Sequence, residues 1–199
     1  MNEINTAHFW QTQYQNNVTP WDLGKPVPVF ERLAKSGRFP LGKLIVLGAG
    51  YGYDAHLFAR YGFDVTAVDF AVEAVAEMQR LMQPEFPITI LQTDIFELPD
   101  ELTNQFDYIL EYTCYCAIDP ERRDEYAALA HRLLRKGGQW IALSFPIGKR
   151  PGGPPYVVQP DRVIERMEAH QFKLLHREMP PDSAEGRQNI EELLIMEAI

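Results

Sequence analysis

Residues 44–70 read LIVLGAGYGYDAHLFARYGFDVTAVDF, and this stretch decides the fold. It opens with a continuous apolar run that ends in closely spaced glycines, which predicts a buried parallel strand followed by a tight turn. Residues 53–62 carry apolar side chains at helical spacing and end at Gly62, and a β-branched run then ends at Asp69. This order of strand, loop, helix and strand is typical of a doubly wound sheet.

The same alternation continues along most of the chain, so we predict an α/β fold: a Rossmann-like doubly wound seven-stranded sheet with its last strand antiparallel. The turn-rich segment 180–189 separates the last two strands without a helix, and a hairpin there makes the last strand antiparallel to its neighbour. A long helix over 119–136 is predicted to stop at the glycines that follow it. The other predicted elements are helices at 27–36, 71–82 and 160–170 and strands at 87–94, 106–112, 139–145, 172–179 and 190–199.

Composition indicates a globular protein that acts on small molecules. The chain has 199 residues, 46% of them hydrophobic, and a formal charge of −9 that argues against nucleic acid, because phosphate-binding surfaces are usually basic. No apolar run has the length of a membrane span, and no secretory signal pattern opens the sequence. Cys114 and Cys116 are too close for an ordinary disulfide and do not resemble a metal-binding framework. We therefore expect a cytoplasmic protein, favoured as a monomer, with no metal, membrane or nucleic-acid partner.

The glycine loop that follows the first strand predicts a ligand site. Gly48 and Gly50 permit a tight turn and the close approach of a cofactor to the backbone. In the dinucleotide fingerprint the third glycine stands where this chain has Tyr53, whereas here it comes one residue early, at Gly52. An NAD-dependent reductase is therefore disfavoured.

Acidic residues close two successive predicted strands. Asp69 is placed to accept both ribose hydroxyls of a nucleoside. Asp94 is placed to accept a hydrogen bond from the adenine amine, with Phe70 and Ile95 flanking the ring. Two carboxylates suit a neutral or cationic adenosine cofactor better than a pyrophosphate. The alternative for each residue is that it only caps a helix or a turn.

Two sets of motifs resemble known enzymes. VLGAGYGYDAHLFARYGFDVTAVDFAVEAV, FDYILEY and LLRKGGQWIALSF resemble the motifs of class I S-adenosylmethionine-dependent methyltransferases. FWQTQY, TPWDLGKPVP, YTCYCAIDPERRDEYA, SFPIGKRPGGPPYVV and EELLIME together resemble the thiopurine methyltransferase superfamily, and within it the thiol and halide methyltransferases. The resemblance implies S-adenosylmethionine as cofactor and a single methyltransferase domain over 1–199. Residues 1–40 would form an N-terminal lid and helices, and residues 41–199 a Rossmann-like core.

The resemblance also implies roles for individual residues. Trp10 and Tyr14 match aromatic residues that close over the cofactor from an N-terminal helix, and we expect residues 5–25 to form this lid. Glu111 ends the fourth strand, where a carboxylate can hold the ammonium group of the cofactor or, equally, cap a loop. The remaining matched cofactor contacts are Gly48, Asp69, Asp94, Ile95 and Tyr112.

Departures from the family pattern bear on the methyl acceptor. Thiopurine-type members carry Asp-Arg where this chain has Glu111 and Tyr112, which argues against aromatic heterocyclic thiols. We predict methyl transfer to a small soft nucleophile (a thiol, bisulfide or halide), with Tyr115, Cys116, Phe145 and Tyr156 around the acceptor. The alternatives are another small acceptor, such as a hydroxyl or carboxyl group, and a protein that binds the cofactor without catalysis.

The stretch from Gly153 to Tyr156 resembles the Pro-Pro-aromatic signature of amino-group methylases but follows the fifth strand rather than the fourth. It is therefore interpreted as a stiff loop, with Tyr156 at the pocket edge. No general base is identified. The five histidines are scattered, and only His8 lies beside the predicted aromatic helix.

Overall fold

A computed structural model of the chain describes Ile4 and residues 6–199. Residues 1–3 and 5, the last of which begins the predicted lid, lie outside the described residues. The α-helices are α1 (Ala7–Gln15), α2 (Pro28–Lys35), α3 (Tyr53–Arg60), α4 (Val72–Leu81), α5 (Arg123–Leu133) and α6 (Pro160–Ala169). The strands are β1 (Lys43–Leu47), β2 (Asp64–Asp69), β3 (Thr89–Gln92), β4 (Phe106–Tyr112), β5 (Leu134–Ser144), β6 (Phe172–Glu178) and β7 (Glu192–Ala198).

The strands form one seven-stranded sheet in the order β3-β2-β1-β4-β5-β7-β6. The first five are parallel, and β7 inserts antiparallel between β5 and β6. Parallel strands present their carboxyl ends at the same edge, so Leu47, Asp69 and Tyr112 end close to one another. The predicted fold class, including the antiparallel last strand, is confirmed.

Each face of the sheet buries a separate hydrophobic cluster, because side chains alternate along a strand. In β1, Ile45 and Leu47 pack on the side covered by α5 and α6, whereas Leu44 and Val46 pack on the side covered by α2, α3 and α4. Trp140 is fully buried in the first cluster, where its indole Nε1 donates to Tyr126 Oη at 3.2 Å. Both faces are thus covered, as a parallel sheet requires.

The predicted helix over 119–136 is wrong at both ends. Asp119 caps a short 3₁₀ turn (Pro120–Arg122), and α5 begins only after it. At the other end Leu134 pairs with Phe106, so β5 starts there and runs through the glycines that were predicted to end the helix. The ladder with β4 therefore overrides the local helix signal.

Gly52 provides a test of the turn between β1 and α3. It caps α3 with φ +77°, and a Cβ there would clash with the buried side chain of Met78. Gly37 has φ +65° but open space around it. Gly37→Ala should therefore cost only the backbone strain, about 1–2 kcal/mol.

Gly52→Ala should cost more than Gly37→Ala, because overpacking adds roughly 1–3 kcal/mol to the same strain. Urea unfolding of both variants measures the difference. Equal losses of unfolding free energy would show that Met78 does not restrict this turn.

Candidate active site

A cavity of about 540 Å³ lies at the carboxyl edge of the sheet. This volume is within the range of small-molecule sites, and open α/β sheets bind ligands at this edge. Its walls come from α1 and the loop that follows, the glycine loop after β1, and the segments that follow β2, β3, β4 and β5. The residues that the sequence predicts at the cavity and the structure places on its wall are Trp10, Tyr14, Gly48, Gly50, Asp69, Phe70, Asp94, Ile95, Tyr112, Cys116 and Phe145.

The glycine loop leaves backbone exposed to the cavity because side chains do not fit there. Gly48 has φ +62°, and a Cβ on it would lie 2.8 Å from Cys114 Sγ. Gly50 has φ +56°, and a Cβ on it would lie 3.3 Å from Tyr14 Oη. The loop is therefore a cradle that accepts a ligand against its main chain.

Asp69 is both a structural cap and a cavity wall. Its carboxylate accepts hydrogen bonds from Gly50 N at 2.8 Å and Ala71 N at 2.9 Å, which holds the glycine loop against the end of β2. Burial raises the pKa of Asp69 to about 6, although these backbone donors favour the charged form. Asp94 similarly accepts from Phe96 N at 2.9 Å at the start of a 3₁₀ turn. Asp69 and Asp94 therefore each cap a local backbone turn and also line the cavity, so one role does not exclude the other.

An aromatic cluster covers the cavity from the N-terminal side. The ring of Trp10 lies edge-on to Trp21 at 5.4 Å between centroids, and Tyr14 contacts both Trp21 and Tyr51. Gln11 attaches α1 to the start of α4, because its Oε1 accepts from Val72 N at 2.9 Å. Sequence reasoning did not select Trp21, although an aromatic residue within TPWDLGKPVP was the available signal.

The pocket residues predicted at the end of β4 and in the loop after it lie partly on the cavity wall and partly outside it. Cys114 and Cys116 line the cavity, and burial raises the pKa of both thiols, so they remain protonated walls. Glu111 does not line the cavity. Its buried carboxylate accepts from Tyr115 N at 2.7 Å and closes the loop, which is the contact that the capping alternative describes.

Tyr115 and Tyr156 were also predicted at the acceptor pocket, and both lie elsewhere. Tyr115 packs against Tyr126, and its hydroxyl accepts from Arg166 Nη1 at 3.0 Å. Tyr156 lies beside Tyr115 in a shallow depression outside the cavity, and its N–H donates to Cys116 O at 2.7 Å. The preceding residues Pro154 and Pro155 reach the cavity instead.

Three residues form a polar cluster at the cavity wall, and only Tyr112 was selected from the sequence. Tyr112 Oη donates to Glu191 Oε2 at 2.7 Å and accepts from Arg187 Nη1. The Arg187 guanidinium lies 5.0 Å from the Tyr112 ring centre and 4.7 Å from that of Phe145. Its Nη2 donates to Trp21 O at 2.9 Å, so the cluster joins the sheet edge to the N-terminal loop.

None of the five histidines lines the cavity. His8 is exposed, and His56 is buried against Met78 O at 3.0 Å. Within Ile4 and residues 6–199, no group of three or more His, Cys, Asp or Glu side chains is arranged to hold a metal ion. No helix in the same part of the chain combines the length and apolar character needed to cross a bilayer.

Comparison with known proteins places this site in a family. The model of the family described as Thiopurine S-methyltransferase (TPMT) matches residues 5–192. The chain belongs to this family. The chain is also 37% identical over 158 residues to a probable thiol methyltransferase 2 of Arabidopsis thaliana, and the match covers 77% of this chain and 69% of the relative. Thiocyanate methyltransferase 1 of Brassica oleracea is 32% identical over 188 residues, which cover 92% of this chain and 82% of the relative.

Solved structures agree on the fold. A Burkholderia thailandensis 1,6-didemethyltoxoflavin-N1-methyltransferase with bound S-adenosylhomocysteine superposes with a TM-score of 0.73 at 21% identity, covering 96% of this chain and 86% of that chain. The magnesium protoporphyrin IX methyltransferase of Synechocystis PCC 6803, with bound S-adenosylmethionine, gives 0.68 at 15% identity, covering 100% and 85%. The family and the fold together establish an S-adenosylmethionine-dependent methyltransferase.

Asp69→Asn tests the acidic end of β2. Hydrogen bonds to a charged group contribute about 1.5–3 kcal/mol, so we expect S-adenosylhomocysteine to bind at least about tenfold more weakly to this variant near pH 7.5. The wild-type affinity should fall as pH drops below about 6, because the Asp69 carboxylate is then protonated, and the variant should lose most of this dependence. Isothermal calorimetry at several pH values measures both effects.

The matched control is Asp64→Asn, because Asp64 is exposed at the opposite end of the same strand. Its affinity for S-adenosylhomocysteine should equal that of the wild type. Equal weakening in both variants would contradict a specific contact at Asp69.

Proposed function

We propose that the cavity holds S-adenosylmethionine along the carboxyl edge of β1, β2 and β3. Asp69 accepts the ribose hydroxyls, and Asp94 accepts from the adenine amine while Phe70 and Ile95 flank the ring. The cofactor chain runs over the backbone of the glycine loop. The position of Gly48, Ala49 and Gly50 on the cavity wall supports this placement. Residues 1–199 then act as a single methyltransferase domain.

The proposed acceptor is a small soft nucleophile: a thiol, bisulfide, halide or thiocyanate. The observation that carries this proposal is the part of the cavity wall that Tyr112, Cys114, Cys116 and Phe145 form from aromatic rings and protonated thiols. Such a wall suits a polarisable acceptor that needs little solvation. The names of the two Arabidopsis and Brassica relatives point to the same class of acceptor.

Methyl transfer requires little chemistry from the protein's own side chains. When bound, the cofactor supplies a methyl group already activated by its sulfonium. The chain must hold the acceptor in line with this methyl group and exclude water, which strengthens every charge interaction in the cavity. The faces of Tyr112 and Phe145 favour the cationic donor through their ring electrons.

The acceptor class is tested with purified protein and a panel of bisulfide, an alkyl thiol, iodide, thiocyanate and a thiopurine. We expect turnover of the small soft nucleophiles and little of the thiopurine, because this chain has Glu111 and Tyr112 where thiopurine-type members carry Asp-Arg. Headspace gas chromatography detects the volatile methylated products. Failure to methylate any of the small soft nucleophiles in the panel would refute the proposal.

We also propose that residues 5–25 act as a lid over the cofactor, in an enzyme that works as a cytoplasmic monomer. Trp10→Ala should weaken S-adenosylhomocysteine binding about tenfold, because the ring of Trp10 lines the cavity and holds Trp21 beside it. Tyr61→Ala, at an exposed aromatic residue far from the cavity, is the control. Unchanged calorimetric affinity in Trp10→Ala would contradict the lid.

A further inference from the structure

We propose that Tyr112 and Glu191 take the proton from acceptors that enter the cavity as neutral thiols. This inference rests on the proposed function, since it concerns how that site handles one subset of its acceptors. Halides and thiocyanate carry no proton, whereas an alkyl thiol near neutral pH is mostly protonated and must lose its proton when sulfur is methylated.

The geometry of Tyr112 suits a proton carrier. Its hydroxyl hydrogen is directed at Glu191 Oε2, 2.7 Å away, so the proton already lies on the path to the carboxylate. Arg187 Nη1 donates to one lone pair of the same oxygen, which leaves the second lone pair for an incoming S–H group. Tyr112 is also the member of the trio that lines the cavity.

Glu191 has the surroundings of a buried proton acceptor. Its side chain is completely buried, and its Oε1 receives no hydrogen bond of normal geometry within the described residues, although Ser183 lies close enough to favour the charged form. Burial raises the pKa of Glu191 above its ordinary value, against the opposing effects of Tyr112 and Arg187. Burial raises the pKa of Tyr112 as well, so its phenol is protonated at rest. Tyr112 therefore passes the proton on to Glu191 and does not keep it.

Methyl transfer to the thiol and transfer of its proton to Glu191 together conserve atoms and electrons. A bond forms between the thiol sulfur and the methyl carbon, and the bond from that carbon to the donor sulfur breaks with its electron pair left on the donor. The thiol proton passes to Tyr112 Oη while the hydroxyl proton of Tyr112 passes to Glu191. The tyrosine is unchanged at the end, and the carboxyl group of Glu191 carries the proton until it is lost to solvent.

The test compares kcat/KM for an alkyl thiol with kcat/KM for iodide in the same variant near pH 7. Proton acceptors contribute about 10²–10⁴-fold to rate, so Glu191→Gln should lower the ratio of thiol to iodide activity at least tenfold. Tyr112→Phe, which keeps the ring and its packing, should lower the same ratio. A role confined to structure would lower both activities together and leave the ratio unchanged.

Glu192→Gln is the matched control. Glu192 is the next residue, and it pairs with Arg177 Nε at 2.5 Å instead of facing the cavity cluster. This variant should lose stability and keep the wild-type ratio. An unchanged ratio in both Glu191→Gln and Tyr112→Phe would overturn the relay and leave the proposed acceptor class standing. Absence of both thiol and iodide turnover in the wild type would refute that class and the relay with it.

Discussion

The parallel register of β2, β1 and β4 is the constraint on which the site depends. Leu47 lies beside Val68, and Val46 beside Leu110, so three strands end at one edge within a residue or two of each other. A slip of one residue would turn each side chain to the other face and separate the glycine loop from Asp69. The hydrogen bonds from Gly50 N and Ala71 N to Asp69 then fix the loop at that edge. The geometry of the cavity edge is thus a consequence of strand pairing.

Several of the residues that sequence reasoning correctly placed at the cavity stand at strand ends. Gly48, Asp69 and Asp94 follow strands whose apolar runs are unambiguous, and a parallel sheet leaves one location for them. The failures lie at the end of β4 and in the loop that follows it. Glu111 and Tyr115 were assigned to the cavity, but the loop after β4 turns back on the Glu111 carboxylate, and no periodicity in sequence indicates which side of such a loop faces the ligand.

Contacts between residues that are distant in sequence account for the two features that the sequence did not indicate, namely the polar cluster and the start of β5. Arg187 lies in a polar segment without a recognisable motif, and nothing in the motif EELLIME singles out its first residue, Glu191. Both residues meet Tyr112 because β7 inserts beside β5. The error at the start of β5 has the same origin, because Leu134 is recruited by Phe106 from a segment that is helical by local preference. Strand pairing at a distance decided both cases.

The inserted position of β7 has a consequence for biosynthesis. Until β7 emerges from the ribosome, the edge of β5 is unpaired and β6 has no neighbour, since both pair with β7 alone on that side. Exposed strand edges of this kind favour association between chains. Arg187 and Glu191 emerge at the same stage, so a nascent chain that has completed the glycine loop still lacks the groups that tie Trp21 to the sheet. The cavity wall can therefore be completed only after β7 has been synthesised.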